Sequence, residues 1–137
     1  MKELVFAKGN QALTTSLTVA EVFEKKHKNV VRDIRNLISD LKETGDEPKI
    51  EPIFFEAEYA DTYGRKKPMY LMNRDGFALL AMGFTGKKAL QFKLAYINAF
   101  NKMEKALVER SLNWQSMRKI AIENTKSLHK TIQDLLI

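Results

Sequence analysis

Apolar positions in residues 28–42 recur with the period of a helix. Val30, Val31, Ile34, Leu37, Ile38 and Leu41 fall on one stripe. At about 100° per residue, Lys28, Arg32, Arg35, Asn36 and Ser39 collect on the opposite side. Upstream, Val19, Val22 and Phe23 give a shorter helix a buried face, ending near Lys25. Thr14, Thr15 and Ser16 are candidate caps for it, and Thr18 with Glu21 matches a capping box. A tight corner at Lys26-His27 then joins two helices over residues 18–42. A short helix, a corner and a longer helix make a helix-turn-helix pattern.

Period-two runs flank this pair. Residues 3–7 and 11–13 predict a small hairpin, turned at Gly9-Asn10. Residues 53–60 and 67–72 predict a second hairpin, turned at residues 61–65, where Gly64 can take positive φ. The stretch 44–52 holds one Gly and two Pro and predicts a loop. Asn73 is the expected cap of a helix over residues 77–84, apolar nearly all round and so buried. Thr85-Gly86 ends it, and a long helix is expected over residues 87–110. Its apolar positions are Leu90, Phe92, Leu94, Tyr96, Ile97, Phe100 and Met103. They cover more than one narrow stripe, so this helix should pack on the hairpin side and on a neighbour. Residues 111–113 read as an interruption, and residues 114–137 as a last, more polar helix. Trp114, Met117, Ala121, Leu128 and Leu135 sit on its approximate heptad seam, with Asn124 and Thr131 between.

The expected fold class is α+β: a winged-helix-like helix-turn-helix with a small sheet, followed by long C-terminal helices. The expected division is residues 1–110 as a DNA-binding domain. Residues 111–137 would be a C-terminal helix for oligomerisation, or the remnant of a second module.

Charge gives these elements a direction. The 137 residues carry 23 Lys plus Arg against 17 Asp plus Glu, a net +6. That balance permits nucleic-acid binding without requiring it. Arg pairs with guanine edges or phosphates and Asn with adenine edges, so Lys28, Asn29, Arg32, Arg35 and Asn36 suit a major groove. Arg65, Lys66 and Lys67 at the second hairpin suit phosphates, as a wing would. Lys87 and Lys88, with Lys93, open a helix where cations oppose its dipole, which points to an anion near Gly86. Each feature has a plain reading too: a solvated helix face, a hairpin edge protected from strand pairing, exposed lysines. Residues 43–58 hold six acids and one base, and that surface should face away from a phosphate backbone.

Other chemistry finds no support. There is no cysteine, hence no disulfide or thiolate metal site. His27 and His129 lack companion ligands at metal spacing, so no metal is expected, and His27 reads as a structural turn residue. No phosphate-loop, dinucleotide or nucleophile motif is present, so no cofactor and no enzymatic activity are expected. Neither a signal peptide nor a membrane span is visible, which predicts a cytoplasmic protein.

Three segments in order carry a family resemblance. They are HKNVVRDIRNL (27–37), GRKKPMYLMNRDGF (64–77) and GFTGKKALQFKLAYINAFN (83–101). Over residues 14–105 the chain resembles the Rha family of phage and prophage regulatory proteins. The resemblance implies a DNA-associated regulator of a temperate phage, acting at the nucleoid of a bacterial host. In related phage proteins a second C-terminal module often follows, whereas here only some 27 residues do. The expected partners are double-stranded DNA and a second copy, as a dimer formed through the long helices. The alternatives are an antirepressor-type module that binds another regulator, and a single-strand binder. In the latter, Tyr59, Tyr63 and Tyr70 would stack on bases.

Overall fold

A computed structural model describes residues 3–45 and 53–135, with side chains to residue 123. The remainder of the 44–52 loop, Leu128 and Leu135 of the expected seam, and Asn124 and Thr131 between them lie outside the described side chains. The chain forms two compact units, Met1–Glu104 and Lys105–Ile137.

The first unit is α+β, with a four-stranded antiparallel sheet whose strands lie in the order 6–8, 11–15, 66–72, 54–60. Strand β1 (Phe6–Lys8) pairs with β2 (Gln11–Thr15), Phe6 opposite Leu13, across a turn where Gly9 takes φ +61°. Strand β2 runs directly into α1 (Ser16–Val22) because Thr15 serves both elements. Its backbone is extended, and its hydroxyl accepts the N–H of Thr18 at 3.0 Å. The helix therefore starts two residues before Thr18, and Thr15 is its cap. Glu24 ends α1 at φ +58°, while the Lys25 N–H returns to the Ala20 carbonyl at 2.8 Å.

Helix α2 (His27–Glu43) begins at His27, so the corner lies one residue earlier than expected, at Glu24 to Lys26. Its stripe is buried as the spacing requires, with Val30, Val31 and Ile34 in the core. Strands β3 (Phe54–Ala60) and β4 (Lys66–Met72) pair along their full length, from Phe54↔Met72 to Ala60↔Lys66. Strand β4 also pairs with β2, Thr14 opposite Met72, and so closes the sheet.

Asn73 caps α3 (Arg74–Ala81), its side chain accepting the Gly76 N–H at 3.0 Å. Gly76 lies against the start of β3: a Cβ there would sit 2.5 Å from the Ile53 carbonyl oxygen. Contrary to the all-round burial expected here, Met82 and Ala78 face solvent, while Phe77, Leu80, Ala81 and Phe84 are buried.

Helix α4 (Lys87–Leu135) is one helix of 49 residues. The interruption expected at residues 111–113 is absent: Ser, Leu and Asn cost only a few tenths of a kcal/mol each in a helix, and neither Gly nor Pro is present to stop it. Its Tyr96 and Phe100 complete an aromatic core with Phe23, Phe77, Phe84 and Phe92. The Phe77–Tyr96 centroids lie 4.3 Å apart and those of Phe23–Phe84 4.8 Å. In the second unit, Leu112, Trp114, Met117, Ile120 and Ile122 are all exposed. Among the described residues, no helix is long and apolar enough to cross a membrane.

Candidate nucleic-acid interface

The outward face of α2 is built by the same period that buries Val30, Val31 and Ile34. Lys28, Arg32, Arg35, Asn36 and Ser39 are exposed, and Asn29 is half-buried at the margin. Arg32 lies 3.7 Å from the Asp33 carboxylate, both side chains largely open to water. Such a pair holds Arg32 weakly, since exposed ion pairs contribute about 0–1 kcal/mol. Lys25 and Lys26, adjoining Lys28, are further exposed cations at the start of α2. The run KKHK at 25–28 signals them, although only Lys28 was expected from the helix face. Lys25 lies over the Phe84 ring, 4.7 Å from its centroid.

The start of α2 is fastened to the sheet through His27. Its Nε2 lies 2.8 Å from the Ser16 hydroxyl, which also accepts the Tyr70 N–H at 3.0 Å. The Tyr59 ring meets the imidazole edge-on at 5.5 Å. Burial lowers the His27 pKa below its usual 6.5. His27 is thus the structural residue the sequence suggested, and Tyr59 and Tyr70 are occupied by the fold. Of the three tyrosines considered for base stacking, Tyr63 alone is fully open to solvent.

The hairpin tip is organised by Asp61. Its Oδ1 accepts the N–H groups of Tyr63 and Arg65, both at 2.9 Å, and Gly64 at φ +78° completes the turn. Its Oδ2 takes the Arg65 Nε at 3.1 Å and lies 3.6 Å from Lys67 Nζ. Desolvation pushes the Asp61 pKa up, but these donors and the Lys67 charge outweigh it and hold the group below the usual carboxylate range. Arg65 also lies over the Tyr63 ring. Two of the three hairpin cations are therefore already paired with an acid, and Lys66 is exposed.

Two further placements redistribute charge. Arg35 lines a groove of about 370 Å³ together with Glu56, Glu58, Pro68 and Tyr70. The acids of β3 therefore sit beside one of the candidate reading residues instead of facing away from it. Lys88 is held by Glu24 at 2.6 Å, whereas Lys87 is exposed. No group of three or more His, Asp or Glu able to hold a metal occurs among the described residues.

Residues 14–105 match the family model described as phage regulatory protein Rha. The chain belongs to that family. Two of the curated relatives come from a phage and a prophage. A protein of Salmonella phage P22, described only as an uncharacterized 22.8 kDa protein, is 33% identical over 122 residues, covering 85% of this chain and 57% of its own. An uncharacterized Haemophilus influenzae protein is 41% identical over 95 residues, 69% of this chain and 53% of its own. A Bacillus subtilis relative named "SPbeta prophage-derived putative antirepressor protein YoqD" is 32% identical over 108 residues, 77% of this chain and 41% of its own. The chain thus spans about half the length of the curated relatives it matches. No solved structure matches it.

Proposed function

We propose that this Rha-family protein is a regulator that binds double-stranded DNA, with α2 in the major groove and the β3–β4 hairpin as a wing on the backbone. The observation that carries this reading is the exposed stripe Lys28, Arg32, Asn36 on α2, opposite a fully buried Val30–Ile34 stripe. The order hairpin, helix, helix, hairpin, with β2 against β4, supports comparing the β3–β4 hairpin to a wing. Lys28, Asn29, Arg32 and Asn36 form the groove set, and Arg35 contributes from beside Glu56 and Glu58. Lys66 leads the phosphate contacts, with Arg65 and Lys67 exchanging Asp61 for phosphate on binding. Lys88 would similarly exchange Glu24. If about six phosphates are neutralised, the logarithm of affinity falls with that of salt at a slope of about −5.

Selection of bound duplexes from a random pool tests binding and specificity together. Arg32→Ala should weaken the selected duplex while folding is intact. Enrichment of no duplex at low salt, or unchanged anisotropy titrations for Arg32→Ala, would refute the reading.

A second reading rests on the Bacillus subtilis relative's printed name. By it, the protein would act on another regulator as an antirepressor. Its signature is co-purification with a regulator from the lysogenic host, combined with no salt-sensitive duplex binding.

A further inference from the structure

The first part of α4 carries a second stripe that the core does not use. Lys87, Leu90, Leu94, Ile97, Asn101 and Glu104 follow spacings of 3, 4, 3, 4 and 3 residues. At 3.6 residues per turn they lie within an arc of about 100°. Tyr96 and Phe100, on the adjoining arc of the helix, are buried in the core. Leu90, Leu94 and Ile97 are 66%, 58% and 45% exposed. Ile97 also lines a groove of about 370 Å³ with Phe77, Ala81, Phe100 and Met82, edged by Arg74, Asp75 and Lys93, and Met82 is 74% exposed. The stripe and the groove thus form one surface between α3 and α4, apolar at its centre and charged at its edge. Monomeric proteins rarely leave more than a few hundred Å² of such surface contiguous and uncovered.

The order of residues along the stripe says what covers it. The sequence Lys-Leu-Leu-Ile-Asn-Glu is cationic at its start and anionic at its end. Laid antiparallel on a copy of itself about a two-fold axis between residues 95 and 96, the stripe sets apolar against apolar at its centre and cation against anion at its ends. Leu94 faces the partner's Ile97, Leu90 faces the partner's Asn101, and Lys87 faces the partner's Glu104. In an antiparallel pair of helices these are the facing core positions. A parallel pairing would instead set Lys87 against Lys87 and Glu104 against Glu104.

The anionic end is already ordered. Arg74 donates to Glu104 at 2.6 Å and to the Asn101 side-chain oxygen, which fixes both side chains on the stripe. Glu104 remains 44% exposed, so its carboxylate can accept a second cation. At the other end Lys87 occupies the first position of α4, where the helix dipole disfavours a cation, and a carboxylate opposite would relieve that.

We propose that the chain forms a two-fold dimer through antiparallel pairing of residues 87–104 of α4, with the α3–α4 groove at its flank. The pairing stands whether or not α2 reads DNA, and it gives Lys87 a carboxylate as partner instead of a phosphate.

Because the chain has no cysteine, mixed single-cysteine variants report the register directly. Leu94→Cys and Ile97→Cys are prepared separately in the full chain, then oxidised alone and as a mixture. The mixture should yield a disulfide-linked dimer, and either variant alone markedly less. Light scattering of the unmodified protein at micromolar concentration should give twice the 15.8 kDa chain mass. Leu94→Glu should halve it with an unchanged circular dichroism spectrum, since Leu94 is exposed. Lys87→Glu should weaken association. A monomer at all concentrations would assign the face to a different protein and overturn the proposal. So would an unchanged mass for Leu94→Glu, or crosslinking of each variant alone that equals the mixture.

Discussion

The buried hydroxyl pair that ties β2 to α4 makes a sharp prediction. Thr14 and Tyr96 are both fully buried. Thr14 Oγ1 donates its one proton to the Leu4 carbonyl at 2.7 Å. Its 3.1 Å contact with the Tyr96 hydroxyl must then be a donation from Tyr96. The two truncations are therefore unequal. Tyr96→Phe removes a donor and leaves Thr14 with its own bond intact, so it should cost about 1 kcal/mol. Thr14→Val strands a buried tyrosine proton and loses the Leu4 bond, so it should cost about 2–4 kcal/mol. In the double variant the stranded proton is gone, and the total should fall short of the sum by about 1–2 kcal/mol. Urea unfolding followed by circular dichroism measures all three. Alkali supplies a second readout. Burial raises the Tyr96 pKa to about 12, against 10.0 for a free tyrosine. Between these values the native state holds a proton that the unfolded state has lost. Stability is therefore level below pH 10 on this account and falls as pH rises toward 12. Tyr96→Phe should flatten that decline. Additive losses, a larger loss for Tyr96→Phe than for Thr14→Val, or identical alkaline slopes would refute the proton assignment.

Gly76→Ala should destabilise the protein by about 1–3 kcal/mol, because its Cβ meets the Ile53 oxygen and the better helix propensity does not offset that. Gly83→Ala, whose Cβ would meet only the Leu80 oxygen at 3.6 Å, should be nearly neutral, and thermal melts compare the two. The lowered His27 pKa means that the unfolded state binds its proton first. Stability should be full above pH 6.5 and decline as pH falls below it, and His27→Gln should remove that part of the decline in urea midpoints. Asp61→Asn should free Arg65 and Lys67 for phosphate, steepening the salt slope of duplex binding by about 1 in anisotropy titrations; a shallower slope would show that Asp61 aids the wing.

Elements carried by local pattern were legible in the sequence. The α2 stripe, both hairpins and the Asn73 cap needed only period, turn glycines and a capping side chain. Of the candidate caps of α1, Thr15 is the one used and the Thr18–Glu21 box is not, because Thr15 ends a strand and caps the helix at once. The continuity of α4 was missed because Ser111 and Asn113 are weak helix formers, and weakness was mistaken for a stop. The local environment of each cation was out of reach. Arg35 and Glu56 are far apart in sequence, and only the packing of the hairpin on α2 makes them neighbours. The pairing of Lys88 with Glu24 likewise depends on how α4 starts beside the α1–α2 turn.

Those neighbours rank the basic residues by electrostatics. A cation that already faces a carboxylate gains less from a phosphate, because binding must first undo an ion pair. Arg65 and Lys67 share Asp61, Lys88 has Glu24, and Arg35 lies beside Glu56 and Glu58. Among the described residues, Lys28 and Lys66 carry no such debt, and Arg32 has only the weak, exposed Asp33 contact. The strongest attraction for a polyanion should therefore centre on the first half of α2 and the start of β4 at Lys66, with the β3 acids bounding it on the Arg35 side. A duplex that docks this way approaches α2 by its N-terminal half. Alanine at Lys28 or Arg32 should then cost more affinity than alanine at Arg35. The reverse order, measured on one selected duplex at one salt concentration, would mean that Glu56 and Glu58 orient Arg35 for a base instead of competing with DNA.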